Sequence, residues 1–396
     1  MKFLNYRNIL IIYFLYLIIG ICIYSTLQIS EFPKKYVFTE WLINYEGGYI
    51  RRGLLGQLVF DISEIFEFNI KYLILIFQIA SYFIYFTIFY LVFSKVEINF
   101  FWLLIIFSPI LFAYPLIELM VLGRKDIFVI SIFLFFSIIN FKSFRNLFIF
   151  FLIAFGLSTF VHEITFFYIF HYLFIVYLYN KLILKEKIKL IYIFLFFIFL
   201  SVLLYLNLYL HNQANINEIV DSYKSYNFEN FTIYSGAFSH LTPNFETVLK
   251  GTINQIEFLN LIKYLIIFLL NSFPFIYFIR FKNVKYLSTF NIFLLFFLLS
   301  IPVYALVLDW GRVIYINYNF FIILLLFFIK LNLIDLAYLN NKISKLSYYS
   351  KIIVFIIICL LFSPDILSFN PIEFFPLPSQ FLRFTGSFFH KILEFY

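Results

Sequence analysis

Long runs of apolar residues recur from one end of this sequence to the other, and they leave few folds open to it. Runs of about 15 to 22 residues fall at 9–29, 71–93, 98–117, 121–141, 147–161, 164–179, 190–209, 258–279, 286–307, 313–329 and 350–368. A helix needs about 20 such residues to cross the hydrocarbon of a bilayer, where each backbone N–H and C=O must be paired within the segment. With 64% hydrophobic and 13% charged residues in a chain of 396, a water-soluble globule could not cover this surface. The runs predict an all-α, polytopic integral membrane helix bundle of about 11 transmembrane helices. No fixed-period repeat or low-complexity linker divides it, so residues 1–396 read as a single membrane domain.

The net charge of +8 is scattered between the runs rather than gathered on one helix or tail, which excludes a nucleic-acid partner and instead reports orientation. With the N-terminus in the cytoplasm, Arg7, Lys95, Lys142, Arg145, Lys181, Lys185, Lys187, Lys189, Arg280, Lys330, Lys342 and Lys345 all fall on the cytoplasmic side, in short basic connections. The unusual polar sequence then lies outside: loops 30–70 and 210–257, and the motifs EGGYIRRG (46–53), GRKD (123–126), HE (162–163) and DWGR (309–312). One face of the membrane is expected to carry the function.

In the first outer loop, Leu54, Leu55, Leu58, Val59, Ile62, Ile65 and Phe66 recur every three or four residues among polar ones, predicting an amphipathic helix on the outer surface. Arg51 and Arg52 stand at its start. Arg124, Lys125 and Asp126 follow Gly123, and Asp309 and Arg312 flank Trp310 and Gly311 in a similar way. Arginines on the outer side breach the orientation rule, and each of these lies beside glycine and near a carboxylate. Together they point to an anionic ligand, phosphate being the natural partner of a guanidinium fork. Contact with lipid head groups, or self-satisfied Asp–Arg pairs, are the structural alternatives.

His162 and Glu163 interrupt a run too short for two full spans, so their turn is expected below the outer surface, where an ionisable pair is a functional candidate. His162 has no second ligand at helical spacing except Glu163, so no metal is expected there, and no cofactor elsewhere. Glu46, beside the Gly47-Gly48 break, and Glu163, whose partial desolvation would raise its basicity, are the candidate carboxylates for proton abstraction. The long outer loop mixes Tyr223, Tyr226, Phe228, Asn230, Phe231, Tyr234, Phe238, His240 and Asn244, suited to sugar faces and hydroxyls or to capping the bundle.

On EGGYIRRG, GRKD, HE and DWGR, and on the arrangement of outer loops, the chain resembles bacterial membrane glycosyltransferases of the GT-C type, and most of all Wzy-like polymerases of O-antigen or capsular polysaccharide. The Asp-Asp or Glu-Asp pair common in the first outer loop of that type is absent here. The resemblance implies a bacterial inner-membrane enzyme that takes glycan from a polyprenyl phosphate or diphosphate donor to a sugar hydroxyl, arginines holding the phosphate and a carboxylate removing the proton. The rival readings are a lipid-linked sugar flippase or other transporter, a membrane O-acyltransferase with His162 as base, and a non-catalytic envelope subunit. Among the intramembrane residues, Asn207, Asn271, Asn291 and Asn317 are the polar groups a transport path would have to use.

Overall fold

The computed structural model describes residues 6–226, 228, 231–241, 249–251, 257–282, 289–307, 309–365 and 373–374. Among the described residues the fold is all-α apart from a two-residue antiparallel pair, Phe362–Ser363 with Glu373–Phe374, and a single bridge between Phe281 and Ile334. Among the described residues, seven helices are long and apolar enough to cross a bilayer: Arg7–Glu31, Ile70–Phe93, Phe144–Val161, Glu163–Leu184, Leu190–Gln213, Leu259–Phe278 and Trp310–Lys330. Leu336–Ser344 and Tyr348–Leu360 pass the same test together but are bent by 106°. The chain is therefore a multi-pass membrane protein.

Seven differs from the eleven apolar runs for local reasons. The run at 98–117 contains Pro109 and Pro115, which lack the N–H a helix interior needs. It breaks into Phe100–Ile106 and Tyr114–Ile117. The run at 121–141 begins with the GRKD motif, and its helix, Asp126–Ile138, has only 13 residues. The Thr289–Leu306 helix carries Pro302 inside it.

The chain packs as two compact units. One comprises Met1–Tyr24, Phe86–Leu122 and Glu246–Tyr396, the other Ser25–Tyr85 and Gly123–Phe245. In the first, the Trp310–Lys330 helix is 89% buried along its span. Its polar residues are used as interhelical links: Asn317 Nδ2 donates to Ser300 Oγ at 3.0 Å and Tyr304 OH at 2.9 Å. Ser108 Oγ donates to Asn271 Oδ1 at 2.9 Å, so these groups are consumed by packing within the bundle.

In the second unit, Tyr172 lies between Phe133, Phe136 and Phe155 at centroid distances of 4.7, 5.8 and 5.3 Å, joining three helices. The Leu190–Gln213 span is only 6% buried, with apolar side chains on every side, a helix whose solvent is lipid. The amphipathic helix of the first outer loop is present as Gly53–Phe66. Its buried stripe is Leu55, Gly56, Val59, Phe60 and Ser63, whereas Leu58, Ile65 and Phe66 face outward. Glycine sets this rotation: a Cβ on Gly56 would stand 1.8 Å from the Ile43 carbonyl oxygen, so the face that turns inward is the one lacking a side chain.

Candidate functional site

Three sequence motifs meet in the second unit. The RR of EGGYIRRG caps the Gly53–Phe66 helix, RKD opens the Asp126–Ile138 helix, and HE separates the Phe144–Val161 helix from the turns that follow. Trp41 Nε1 donates to the Gly123 carbonyl at 2.7 Å, and Gln78 Nε2 to the same carbonyl and to that of Val37, each at 3.2 Å. Those bonds tie the 37–41 segment to the 123–126 turn. Gly123 itself has φ +88°, and a Cβ there would meet the Gln78 amide at 2.7 Å.

Arg52 is the keystone of the cluster. Its backbone is left-handed, φ +67°, a conformation that costs a residue bearing Cβ about 1–2 kcal/mol. Its Nε donates to Glu163 Oε2 at 2.7 Å and Oε1 at 2.9 Å, Nη2 also reaches Oε1, and Nη1 donates to Tyr36 OH at 2.6 Å. Lys125 Nζ donates to the Arg52 carbonyl at 2.7 Å. Arg124 lies over the Tyr36 ring at 4.3 Å. Arg51 Nη2 donates to the carbonyl of His240 at 2.9 Å, and its Nε is 3.9 Å from Glu163 Oε1.

His162 ends one helix in extended backbone and caps the next turn, its Nδ1 accepting the Ile164 N–H at 3.2 Å. An accepting Nδ1 puts the neutral ring's proton on Nε2. That atom faces Glu40 Oε1 at 3.6 Å and Asp126 Oδ1 at 3.9 Å. Burial first, and Arg52 next, push the imidazole down to about 4, so it is neutral at physiological pH.

Glu40 is the residue that sequence reasoning missed. It is 0% exposed, and neither carboxylate oxygen has a hydrogen-bond partner. His162 Nε2 stands 3.6 Å from its Oε1 and Arg52 Nη1 3.9 Å from the same oxygen. Burial opposes ionisation, but the positive charge that His162, Arg52, Arg124 and Lys125 can supply holds the carboxyl below its usual range. Burying an ion this way costs roughly several kcal/mol, an expense usually found where a reaction needs it. Its sequence signal was slight: one carboxylate in the apolar stretch Val37–Trp41.

The two glutamates expected from sequence have other places. Glu163 is gripped by the Arg52 fork, and a carboxylate with both oxygens so engaged is a poor proton acceptor, contrary to the expected gain in basicity. Glu46 is exposed, accepts from Gln57 Nε2 at 3.1 Å, and makes no ion pair with the arginines. Asp126 is gathered into the cluster, 2% exposed. The cluster thus holds Arg51, Arg52, Arg124 and Lys125 against Glu40, Asp126 and Glu163, with an excess of one positive charge.

Asp309 and Arg312 belong to the other unit. There Arg312 Nη1 donates to Asp309 Oδ2 at 3.0 Å, the self-satisfied pair weighed as the structural alternative. The surroundings are acidic: burial, then Glu118, Tyr264, Asp365 and Asp309, raise the Tyr114 phenol well above its usual value. The aromatic loop is divided: Tyr226, Phe228 and Phe231 are half-buried and His240 is exposed. Tyr223 and Phe238 are buried, with Phe231 edge-on to Phe238 at 5.3 Å, and Tyr234 is strongly exposed. Asn230 and Asn244 lie outside the described residues.

No family model, curated protein or solved structure matches this chain.

Proposed function

We propose that this chain is a membrane glycosyltransferase that moves a glycan from a polyprenyl phosphate or diphosphate donor to a sugar hydroxyl, with Glu40 as the general base. The observation that carries the reading is the Glu40 carboxylate, fully buried, without a hydrogen bond, and set among the cationic side chains of Arg52, Arg124 and Lys125. A transfer of this kind needs an unengaged carboxylate and a positive surface together. The acceptor oxygen bonds to the anomeric carbon as the bond from that carbon to the phosphate oxygen breaks. The hydroxyl proton passes to Glu40, and the electron pair leaves on the phosphate, whose charge Arg51, Arg124 and Lys125 meet. His162 Nε2–H lies beside Glu40 and Asp126 and orients the carboxylate rather than taking the proton itself.

Transport draws less support, because Asn271 and Asn317 are bound into interhelical contacts. The test is the purified chain in liposomes with a defined polyprenyl-linked oligosaccharide. Glu40→Gln, nearly isosteric but unable to accept the proton, is expected to lower turnover by about 100- to 10,000-fold while donor binding survives. Parental turnover in Glu40→Gln would overturn the assignment of the base. Donor crossing the bilayer without transfer would make the chain a flippase, and activity with acyl-CoA alone an acyltransferase.

A further inference from the structure

Four stretches of the first compact unit are tied together at one end of its helices, and they are basic. Arg7 Nη2, at the start of the first span, donates to the Ser94 carbonyl at 3.0 Å, and Asn99 Nδ2 donates to Asn340 Oδ1 at 3.2 Å. The Asp335 N–H is given to the Arg280 carbonyl and the Lys282 N–H to that of Leu333, each at 2.8 Å. Residues 6–8, 94–99, 280–282 and 330–345 hold seven lysines and arginines against two carboxylates, Glu97 and Asp335. Asp335 is occupied as a helix cap, its Oδ1 accepting from the Tyr338 N–H at 3.0 Å. Each helix C-terminus that ends here adds about half a negative charge, which leaves most of the excess unbalanced.

Two of these cations stand against the outer wall of a span. The Leu336–Ser344 helix packs on the Leu259–Phe278 span. Lys342 Nζ lies 4.7 Å from the centre of the Tyr277 ring and 5.5 Å from that of Tyr338, and Arg280 Cζ lies 5.5 Å from the Tyr338 ring. Tyr277 is on the last turn of the span, stacked on Phe273 at 5.3 Å. Leu269, Phe273 and Tyr277, 42%, 39% and 37% exposed, follow one another at intervals of four and so form one stripe along the helix. On a span, that stripe faces hydrocarbon. The rings hold the two cations in place but bring no full counter-charge.

A cationic head on an apolar flank is complementary to one class of molecule. We infer that this end of the first unit is a docking surface for an anionic phospholipid, whose phosphate meets Lys342 and Arg280 and whose acyl chain lies along Leu269, Phe273 and Tyr277. A soluble phosphate would use the cations and leave the stripe empty, and a zwitterionic lipid would set its own ammonium against them. The inference is independent of the glycosyl-transfer reading.

The experiment uses the full chain in micelles of a neutral detergent, titrated with phosphatidylglycerol, phosphatidylcholine or glycerol 3-phosphate, with bound ligand counted by native mass spectrometry. One charge beside an anionic head group corresponds to about a fivefold change in affinity. The parental chain is expected to bind phosphatidylglycerol at least about fivefold more tightly than phosphatidylcholine. Lys342→Gln should weaken phosphatidylglycerol about fivefold, and Lys342→Gln with Arg280→Gln about 25-fold, whereas Lys342→Arg stays within about twofold of the parent. Lys187→Gln, which removes an exposed lysine of the other unit, should change nothing. Parental phosphatidylglycerol binding in the double variant, or an equal loss in Lys187→Gln, overturns the surface. Glycerol 3-phosphate bound as tightly as phosphatidylglycerol overturns the lipid. The comparison of the two lipids on the parental chain needs no variant, and equal affinities there overturn the inference on their own.

Discussion

Replacing Arg52 with glycine sets two effects of known sign against each other. Glycine adopts φ +67° without the penalty of about 1–2 kcal/mol that arginine bears there. It returns about 0.4–1 kcal/mol of that gain through its looser unfolded chain, leaving roughly 0.5–1 kcal/mol in its favour. Against this stands the lost guanidinium, which reaches Glu163 through Nε and Nη2 from side chains 12% and 19% exposed. Removing one partner of a buried pair costs about 3–5 kcal/mol, which the remaining exposure reduces to about 2–4. Arg52→Gly should therefore be about 2–3 kcal/mol less stable than the parent, and Arg52→Ala, which keeps the strain, lower still by about 0.5–1 kcal/mol. Arg52→Gly combined with Glu163→Gln should recover about half the loss, because the stranded carboxylate is gone. SDS-induced unfolding in mixed micelles, followed by circular dichroism, measures the parent, Arg52→Gly, Arg52→Ala, Glu163→Gln and the double variant. An Arg52→Gly chain within about 0.5 kcal/mol of the parent, or strict additivity in the double variant, would refute the reasoning.

Burial, against the pull of Glu40, pushes the Lys125 ammonium down to about 7. The cation is present below that pH and lost as pH rises through it, so donor KM is expected to climb between about pH 6 and 8. Lys125→Arg should move that limb above about pH 9, and an unmoved profile would exclude Lys125 from the phosphate site. Gly56→Ala forces a Cβ to 1.8 Å from the Ile43 carbonyl oxygen. It should displace the Glu40–Leu42 turn, abolish turnover and cost about 1–3 kcal/mol in the same unfolding assay. Gly251→Ala is the control, with nothing within 4 Å of the added methyl.

The apolar runs made the membrane-helical class legible from sequence, because hydrocarbon imposes one length and one composition on whatever crosses it. The count was less legible. Pro109 and Pro115 interrupt a helix inside sequence that stays apolar around them, and the GRKD turn takes the first residues of the next run, so runs at 98–117 and 121–141 read as spans and fold as shorter pieces. Arg51, Arg52, Arg124, Lys125, Asp126, His162 and Glu163 stood out as charges in apolar surroundings, and the fold brings all seven to one cluster. Their pairing was not legible, since the Arg52–Glu163 contact joins positions 111 residues apart. Glu40 carried no motif: what distinguishes it is complete burial without a hydrogen bond, a property that arises only once the chain is folded.

The two compact units are interleaved along the chain, and this orders their completion during synthesis. The unit with the cluster, Ser25–Tyr85 with Gly123–Phe245, has its last residue translated at Phe245. The other lacks its most buried helix until Lys330 has been added. At about 5–20 residues per second, the 85 residues from 246 to 330 take about 4–17 s to add. Glu40, Arg52 and Glu163 can thus find one another while the remaining helices are still to be inserted, and the buried charges of the cluster fall within the unit completed first.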